Sequence, residues 1–216
     1  MDCRIIAVEQ GSDTWLDLRR CRITASRMAD VMAKKDTLRY KQYLSEKVKE
    51  LLGHKGVEET PAWAEHGKRN EKYALAGYEY KFETEIEHNI FLVSKQYDWL
   101  ACSPDFLHLP DYLDGGEIKC RELYKNYRKF KQMSETHKGT VKAAPACDRH
   151  QVQANMMVTG FKRWWFINFY LGTGPDKKQI QKISRVAIPR DDDLIAAMEI
   201  RCLEFMTEAY QGAGLA

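Results

Sequence analysis

The sequence has no C-x-x-C pair. Its six cysteines (Cys3, Cys21, Cys102, Cys120, Cys147 and Cys202) are scattered along 216 residues. Without paired-thiolate spacing a zinc or iron–sulfur centre is disfavoured, and reduced, buried thiols are the expectation. Cys147 and His150 stand three apart, but no second ligand pair completes four-coordination. Nor is there a long apolar run. The longest, Trp164 to Leu171, spans eight residues and contains Asn168, against the roughly 20 that cross a bilayer. No basic-then-apolar segment opens the chain, which predicts a cytoplasmic protein. No repeat, low-complexity tract or Pro/Gly linker divides it, so a single domain over 1–216 is expected. At that length about 70% of the extended surface can be buried without help from disulfides or a structural metal. Strong charge is also lacking: 34 Lys and Arg against 31 Asp and Glu give +3. That neither demands nor excludes a nucleic-acid partner, and the placing of the cations must decide.

What is present is periodicity. Residues 1–60 read as helical: Thr24 or Ser26 can cap a helix carrying Met28, Val31 and Met32, and Tyr40, Tyr43, Leu44, Val48, Leu51 and Leu52 form a 3.6-residue stripe. Thr60-Pro61 marks another helix start, running through Glu71 and Tyr73 to about Tyr80. The period then changes to two. Ile86, His88, Ile90 and Leu92 alternate with Glu85, Glu87 and Asn89, predicting one strand with one buried face. Trp99–Cys102 and Phe106–Leu109 read as short strands, residues 110–116 as a turn, and Glu117–Cys120 as the returning strand of a hairpin. Helices follow at about 122–134 and 148–159, strands at 164–171 and 180–188, and a last helix opens on the Asp191–Asp193 run. The sum is an α/β (α+β) fold, a mixed sheet with helices on its faces. It divides into a helical part over 1–60, a core over 61–171, and a C-terminal strand and helix over 172–216.

The most informative segment is Ser103-Pro104-Asp105, followed twelve residues after the aspartate by Glu117-Ile118-Lys119. Residues i and i+2 of a strand point to one side, so Glu117 and Lys119 present a carboxylate and an ammonium together, and the hairpin brings Asp105 beside them. Carboxylates so placed repel unless a cation lies between them, and Mg²⁺ takes one or two protein carboxylates while keeping waters and phosphate oxygens. A lysine beside the attacking water can orient it or help remove its proton. The same spacing also describes a surface hairpin carrying an i,i+2 ion pair. Beyond it, Lys119, Arg121, Lys125, Arg128, Lys129 and Lys131 face one acid, Glu122, and interleave with Tyr124, Tyr127 and Phe130. On a helix Lys125, Arg128 and Lys129 share a face. That face is a track for a phosphate backbone or a solvated surface; for the aromatics, burial in the core is the preferred reading.

Seven short segments occur in order from about residue 7 to residue 170: Glu9-Gln10-Gly11-Ser12-Asp13-Thr14-Trp15, Leu18-Arg19, Ile23-Thr24-Ala25-Ser26, Gly67-Lys68-Arg69-Asn70-Glu71, Ala101-Cys102-Ser103-Pro104-Asp105, Glu117-Ile118-Lys119-Cys120 and Gln151-Val152-Gln153. Together they resemble the lambda-exonuclease family of phage recombination exonucleases, the YqaJ-like viral recombinase branch of the PD-(D/E)XK nuclease superfamily.

The resemblance implies that Asp105 and Glu117 bind a first Mg²⁺, for which Mn²⁺ can substitute, with the carbonyl of Ile118 as a third ligand. It gives Lys119 the attacking water, Glu71 a share in a second metal, and Gln151 the water or the scissile phosphate. Arg19, Ser26 and Ser103 match the family's pocket for a 5′-terminal phosphate. Arg121, Lys125, Arg128 and Lys129 fall where DNA runs, and Trp63 lies where relatives insert an apolar wedge, although a buried indole is an equal reading. The implied activity is a 5′→3′ exonuclease that digests linear double-stranded DNA from 5′-phosphorylated ends to mononucleotides, leaving a 3′ single strand for recombination. A homotrimeric ring, a phage single-strand annealing protein as partner, and a bacterial host cytoplasm belong to the same picture. A PD-(D/E)XK endonuclease and a non-catalytic nucleic-acid-binding relative are the rival readings. The sequence departs from the family in placing Arg121 where Pro is common, in a hairpin about two residues longer, and in a C-terminal 40 residues that match only in helical character.

Overall fold

Strand pairing between distant segments sets the architecture. The computed structural model describes residues 1–55 and 62–215. In chain order the strands and helices are β1 (Cys3–Ala7), α1 (Asp13–Arg19), β2 (Ile23–Thr24), α2 (Met28–Val31), α3 (Leu38–Leu51), α4 (Ala62–Phe82), β3 (Ile86–Glu87), β4 (Ile90–Ser94), β5 (Leu100–Cys102), β6 (Phe106–His108), β7 (Gly115–Cys120), α5 (Tyr124–Thr136), α6 (Ala146–Thr159), β8 (Arg163–Thr173), β9 (Gln179–Pro189) and α7 (Asp192–Gly212). The described strands form two sheets, ordered β1-β4-β5-β2 and β3-β6-β7-β8-β9. Both are mixed: β2 runs parallel to β5 and β7 parallel to β8, while the other pairs are antiparallel. With helices packed on them, this is the expected α/β class. Among the described residues no helix is long and apolar enough to cross a membrane.

Two local expectations are corrected. Residues 1–60 are not all helical, because Cys3–Ala7 pairs with Ile90–Ser94 from Cys3↔Ser94 to Ala7↔Ile90, and Ile23–Thr24 pairs with Leu100–Ala101. Partners this far along the chain override a local pattern. The strand expected from 85 to 92 is two strands in different sheets. Asn89 breaks it with φ of +58°, a conformation that Asn tolerates better than most residues, and β4 is buried along its whole length rather than on one face. Thr24 makes no side-chain cap; instead its hydroxyl lies 3.3 Å from that of Ser26. The Thr60-Pro61 helix start lies outside the described residues.

Elsewhere the period and the caps agree. Asp191 accepts from the Leu194 amide at 3.0 Å at the head of α7, and Gly160, with φ of +77°, closes α6. Helix α7 buries Ile195, Met198, Cys202, Phe205, Met206 and Ala209 at helical spacing against Tyr40 and Tyr43 of α3. Helix α4 turns Ala74, Leu75 and Tyr78 onto a second cluster with Phe106, Ile167 and Phe169. Strand β8 is buried on both faces, as befits an inner strand; each large side chain such as Trp164 or Phe166 contributes about 1.5–3 kcal/mol by leaving water.

The β6–β7 hairpin deserves its glycines. Gly115 and Gly116, expected in the turn, are already in the strand, opposite Leu107 and Phe106. A Cβ on Gly116 would run into the Phe106 ring, and one on Gly115 would sit 2.7 Å from the Phe106 carbonyl oxygen. The turn end of the hairpin is tied by Asp114, whose carboxylate accepts from both His108 and Arg163, while Tyr78 Oη lies 3.1 Å from the other ring nitrogen of His108.

Candidate active site

At the opposite end of that hairpin the register places Asp105 beside Glu117. The Asp105 amide donates to the Gly116 carbonyl at 3.3 Å, and the Asp105 carboxylate accepts from the amide of Ile118. Glu117 and Lys119 project from the same face of β7, with Lys119 Nζ 2.9 Å from Glu117 Oε1. The chain leaves β7, forms α5 and α6, and returns as β8 in parallel, with Glu117 opposite Phe166 and Lys119 opposite Asn168. This crossover carries α6 over the carboxylates. Gln151 Nε2 donates to Glu117 Oε1 at 2.6 Å, its Oε1 accepts from Lys119 Nζ at 3.2 Å, and Asn155 Nδ2 reaches Glu117 Oε2 at 3.4 Å. Glu117 is only 4% exposed, and these three donors satisfy a carboxylate that would be costly to bury alone.

The charges are unevenly poised. Burial pushes the Asp105 carboxyl well above the usual carboxylate range; the negative charges of Glu117 and Glu71 push the same way, while the Ile118 amide and Lys119 oppose. Burial works to lower Lys119, yet the carboxylates of Glu117, Asp148 and Asp105 outweigh it and hold the ammonium above its ordinary value. Lys119 stands here as a hydrogen-bond donor to Glu117 and Gln151. Among the described residues no three His, Cys, Asp or Glu side chains converge closely enough to cage an ion. Asp105 and Glu117 nevertheless suit Mg²⁺, which needs only one or two carboxylates, and a cation between them would relieve the repulsion that raises Asp105. Glu71, from α4, adds its charge to the same space.

The three residues matched to a phosphate pocket lie where β2 and β5 end. Thr24 pairs with Ala101, and Ser26 and Ser103 each follow two residues later. Trp15 joins two of the three: its Nε1 donates to Ser103 Oγ at 3.0 Å, and the Arg19 guanidinium lies 4.3 Å above its ring. Ser103 in turn donates to the Ile90 carbonyl at 3.1 Å. On α5 the aromatics and cations separate as the periodicity implies, with Tyr127 buried and Lys125, Arg128 and Lys129 in solvent. Arg121 stands apart from them. It is half-buried, stacks 3.9 Å over Phe130, and donates from Nε to Asn168 Oδ1 at 2.8 Å. The side chain of Trp63 lies outside the described residues.

Four contributors escaped the sequence reading. Trp15 sat within a quoted motif without a role. Asp148 and Asn155 share a face of α6 with Gln151, a signal that helical spacing offers. Asn168, 2% exposed inside the longest apolar run, holds both Arg121 and the Tyr127 carbonyl; a polar residue in such a run was itself the clue.

The sequence profile of the YqaJ-like viral recombinase domain matches residues 14–162. Among solved structures, an alkaline exonuclease from Laribacter hongkongensis aligns at 24% identity with a TM-score of 0.74, covering 94% of this chain and 95% of that one. Its complex with dAMP aligns at 24% identity and 0.71 over the same shares. A phage-related exonuclease from Haemophilus somnus aligns at 13% identity and 0.64, covering 91% of this chain and 96% of the other. Curated protein sequences give no match. At these identities the structural likeness establishes a shared fold. The profile match spans Trp15, the serines, the hairpin carboxylates and α6, and the chain belongs to the YqaJ-like viral recombinase family.

Proposed function

We propose that the chain is a divalent-metal-dependent nuclease that digests linear duplex DNA from 5′-phosphorylated ends. The observation that carries this reading is the meeting of Asp105, Glu117, Lys119 and Gln151 at one end of the β6–β7 hairpin. Asp105 and Glu117 would hold Mg²⁺ or Mn²⁺ with the Ile118 carbonyl, and Glu71 would serve a second ion. Bound there, the metal supplies charge neutralisation at the scissile phosphate and makes water acidic enough to attack near neutral pH.

The protein's own groups do the positioning. Lys119 positions or activates the attacking water, its amine held toward Glu117 and Gln151. Gln151 fixes Lys119 and Glu117 relative to each other. Arg19 grips the terminal phosphate bidentately while Ser26 and Ser103 add hydroxyl donors, which favours ends over interior sites. Lys125, Arg128 and Lys129 follow the backbone. A 5′-phosphate held by Arg19, Ser26 and Ser103 would set the next phosphodiester toward Asp105, two residues beyond Ser103, and cleavage there would give 5′→3′ polarity. Release of mononucleotides accords with the solved complex of the Laribacter enzyme with dAMP. The trimeric ring, the annealing partner and the recombination role come from the lambda-exonuclease resemblance.

The test is a linear duplex with a 5′-phosphate at one end and a 5′-hydroxyl at the other, distinguishably 3′-labelled, incubated with Mg²⁺ beside a closed circle. Loss of the phosphorylated strand from its 5′ end, with the circle spared, is the expected result. A cut circle would replace the exonuclease with an endonuclease, and binding without digestion would leave a nucleic-acid-binding protein.

A further inference from the structure

A fourth carboxylate stands beside Lys119 and has no part in the mechanism so far. Asp148, in the first turn of α6, has a side chain 13% exposed, with Oδ1 3.5 Å from Lys119 Nζ. Its charge also bears on Arg121, which is held from the other side by Asn168 and Phe130. It shares the helix face of Gln151 and Asn155, so α6 presents an acid and two amides to the two catalytic side chains of β7. An acid at a helix N-terminus is favoured by the dipole wherever on the first turn it sits. That does not require this acid to lie against Lys119, where its charge would oppose a bound polyanion.

Lys119 explains the position. Its ammonium has three oxygen neighbours: Glu117 Oε1 at 2.9 Å, Gln151 Oε1 at 3.2 Å and Asp148 Oδ1 at 3.5 Å. Glu117 is also a proposed metal donor, and a carboxylate shared with a divalent cation holds an ammonium less strongly. Gln151 is neutral. Asp148 is the neighbour of Lys119 whose charge the metal does not claim.

We propose that Asp148 is a positioning residue that acts through Lys119, anchoring the ammonium toward the attacked phosphate while Glu117 serves the metal. This rests on the nuclease reading above. Asp148 touches no reacting atom; it fixes the one side chain that does, and accepts a cost in DNA affinity for doing so.

The test separates chemistry from binding. Single-turnover digestion of 5′-phosphorylated duplex is measured for the unmutated protein, Asp148→Asn and Asp148→Glu, with duplex affinity read by fluorescence anisotropy in EDTA and unfolding temperature read alongside. Asp148→Asn should lose about tenfold or more in rate at saturating DNA. Its duplex affinity should stay equal or rise, since a negative charge beside Lys119 is gone, and Asp148→Glu should recover much of the rate. A merely structural role would lower the unfolding temperature and weaken rate and affinity together. That pattern, or an Asp148→Asn rate within about twofold of the unmutated protein, would overturn the proposal. Should Asp148→Asn not fold, Asp148→Ser, which retains a capping oxygen, takes its place under the same criteria. An unmutated protein that digests nothing with Mg²⁺ or Mn²⁺ would instead sink the nuclease reading, and this inference with it.

Discussion

The Trp15 indole donates to the Ser103 hydroxyl at 3.0 Å, so an α1 residue and a β5 exit residue are joined across 88 positions of chain. The same ring carries Arg19 on its face at 4.3 Å. One side chain thus aims both a guanidinium and a hydroxyl of the proposed phosphate pocket. Trp15→Phe keeps the ring for Arg19 but removes the donor to Ser103. The loss of one hydrogen bond, about 1 kcal/mol, should reduce the rate ratio between 5′-phosphate and 5′-hydroxyl ends about fivefold. Arg19→Ala should lower that ratio further, by about 10–100-fold. Paired end-labelled duplexes measure both, and an unchanged ratio in Arg19→Ala would remove Arg19 from the pocket.

Lys119→Met tests the chemistry. The substitution keeps an unbranched stem and deletes the ammonium that meets Glu117 and Gln151. Cleavage should fall by about 100-fold or more, with duplex binding in EDTA retained within a small factor. Retention of cleavage would transfer the water-positioning role elsewhere.

Gly116→Ala tests the hairpin. The added methyl has no room beside the Phe106 ring, itself fully buried between Tyr78 and the sheet. Overpacking of this kind costs about 1–3 kcal/mol, a fall in Tm of roughly 3–10 °C for a chain of this size. Calorimetry of the variant reads it directly; an unshifted Tm would mean that Phe106 yields freely.

Asp114 gives a pH dependence with a definite sign. Burial works to raise its carboxyl, but the hydrogen bonds from His108 and Arg163 prevail and hold it below the usual value of 3.8. A carboxyl depressed in the folded state stabilises above its unfolded pKa, and that contribution disappears as pH falls through the folded value. Asp114→Asn should therefore cost about 1–2 kcal/mol near neutrality and progressively less below about pH 4. Urea unfolding at pH 7 and pH 3 distinguishes this from a variant whose deficit is constant.

The legible and illegible parts of the molecule differ in range. Asp105, Glu117 and Lys119 were readable because a two-residue period and one short hairpin place them, and the lambda-exonuclease resemblance added Gln151 from α6. Helix α3 was readable from its stripe, and α7 from the acidic Asp191–Asp193 run at its head, where Asp191 caps it. Strand β1 was not, because Cys3–Ala7 acquires its identity only by pairing with Ile90–Ser94. The break at Asn89 hid within a clean alternation, since a single left-handed residue leaves the hydrophobic period intact. Asp148 and Asn168 were overlooked for opposite reasons: one is an acid among cations whose direction only α6 fixes, and the other a lone amide inside an apolar strand.

The parallel pairing of β7 with β8 has a consequence for the protein's synthesis. Glu117 precedes Gln151 by 34 residues, and β8, which pairs beside β7, follows α6 in the chain. A nascent chain that has made its hairpin therefore holds the carboxylates without the helix that orders them. If the chain cleaves DNA as proposed, recovery of cleavage after dilution from denaturant should report the docking of α6 and β8 rather than the formation of the hairpin.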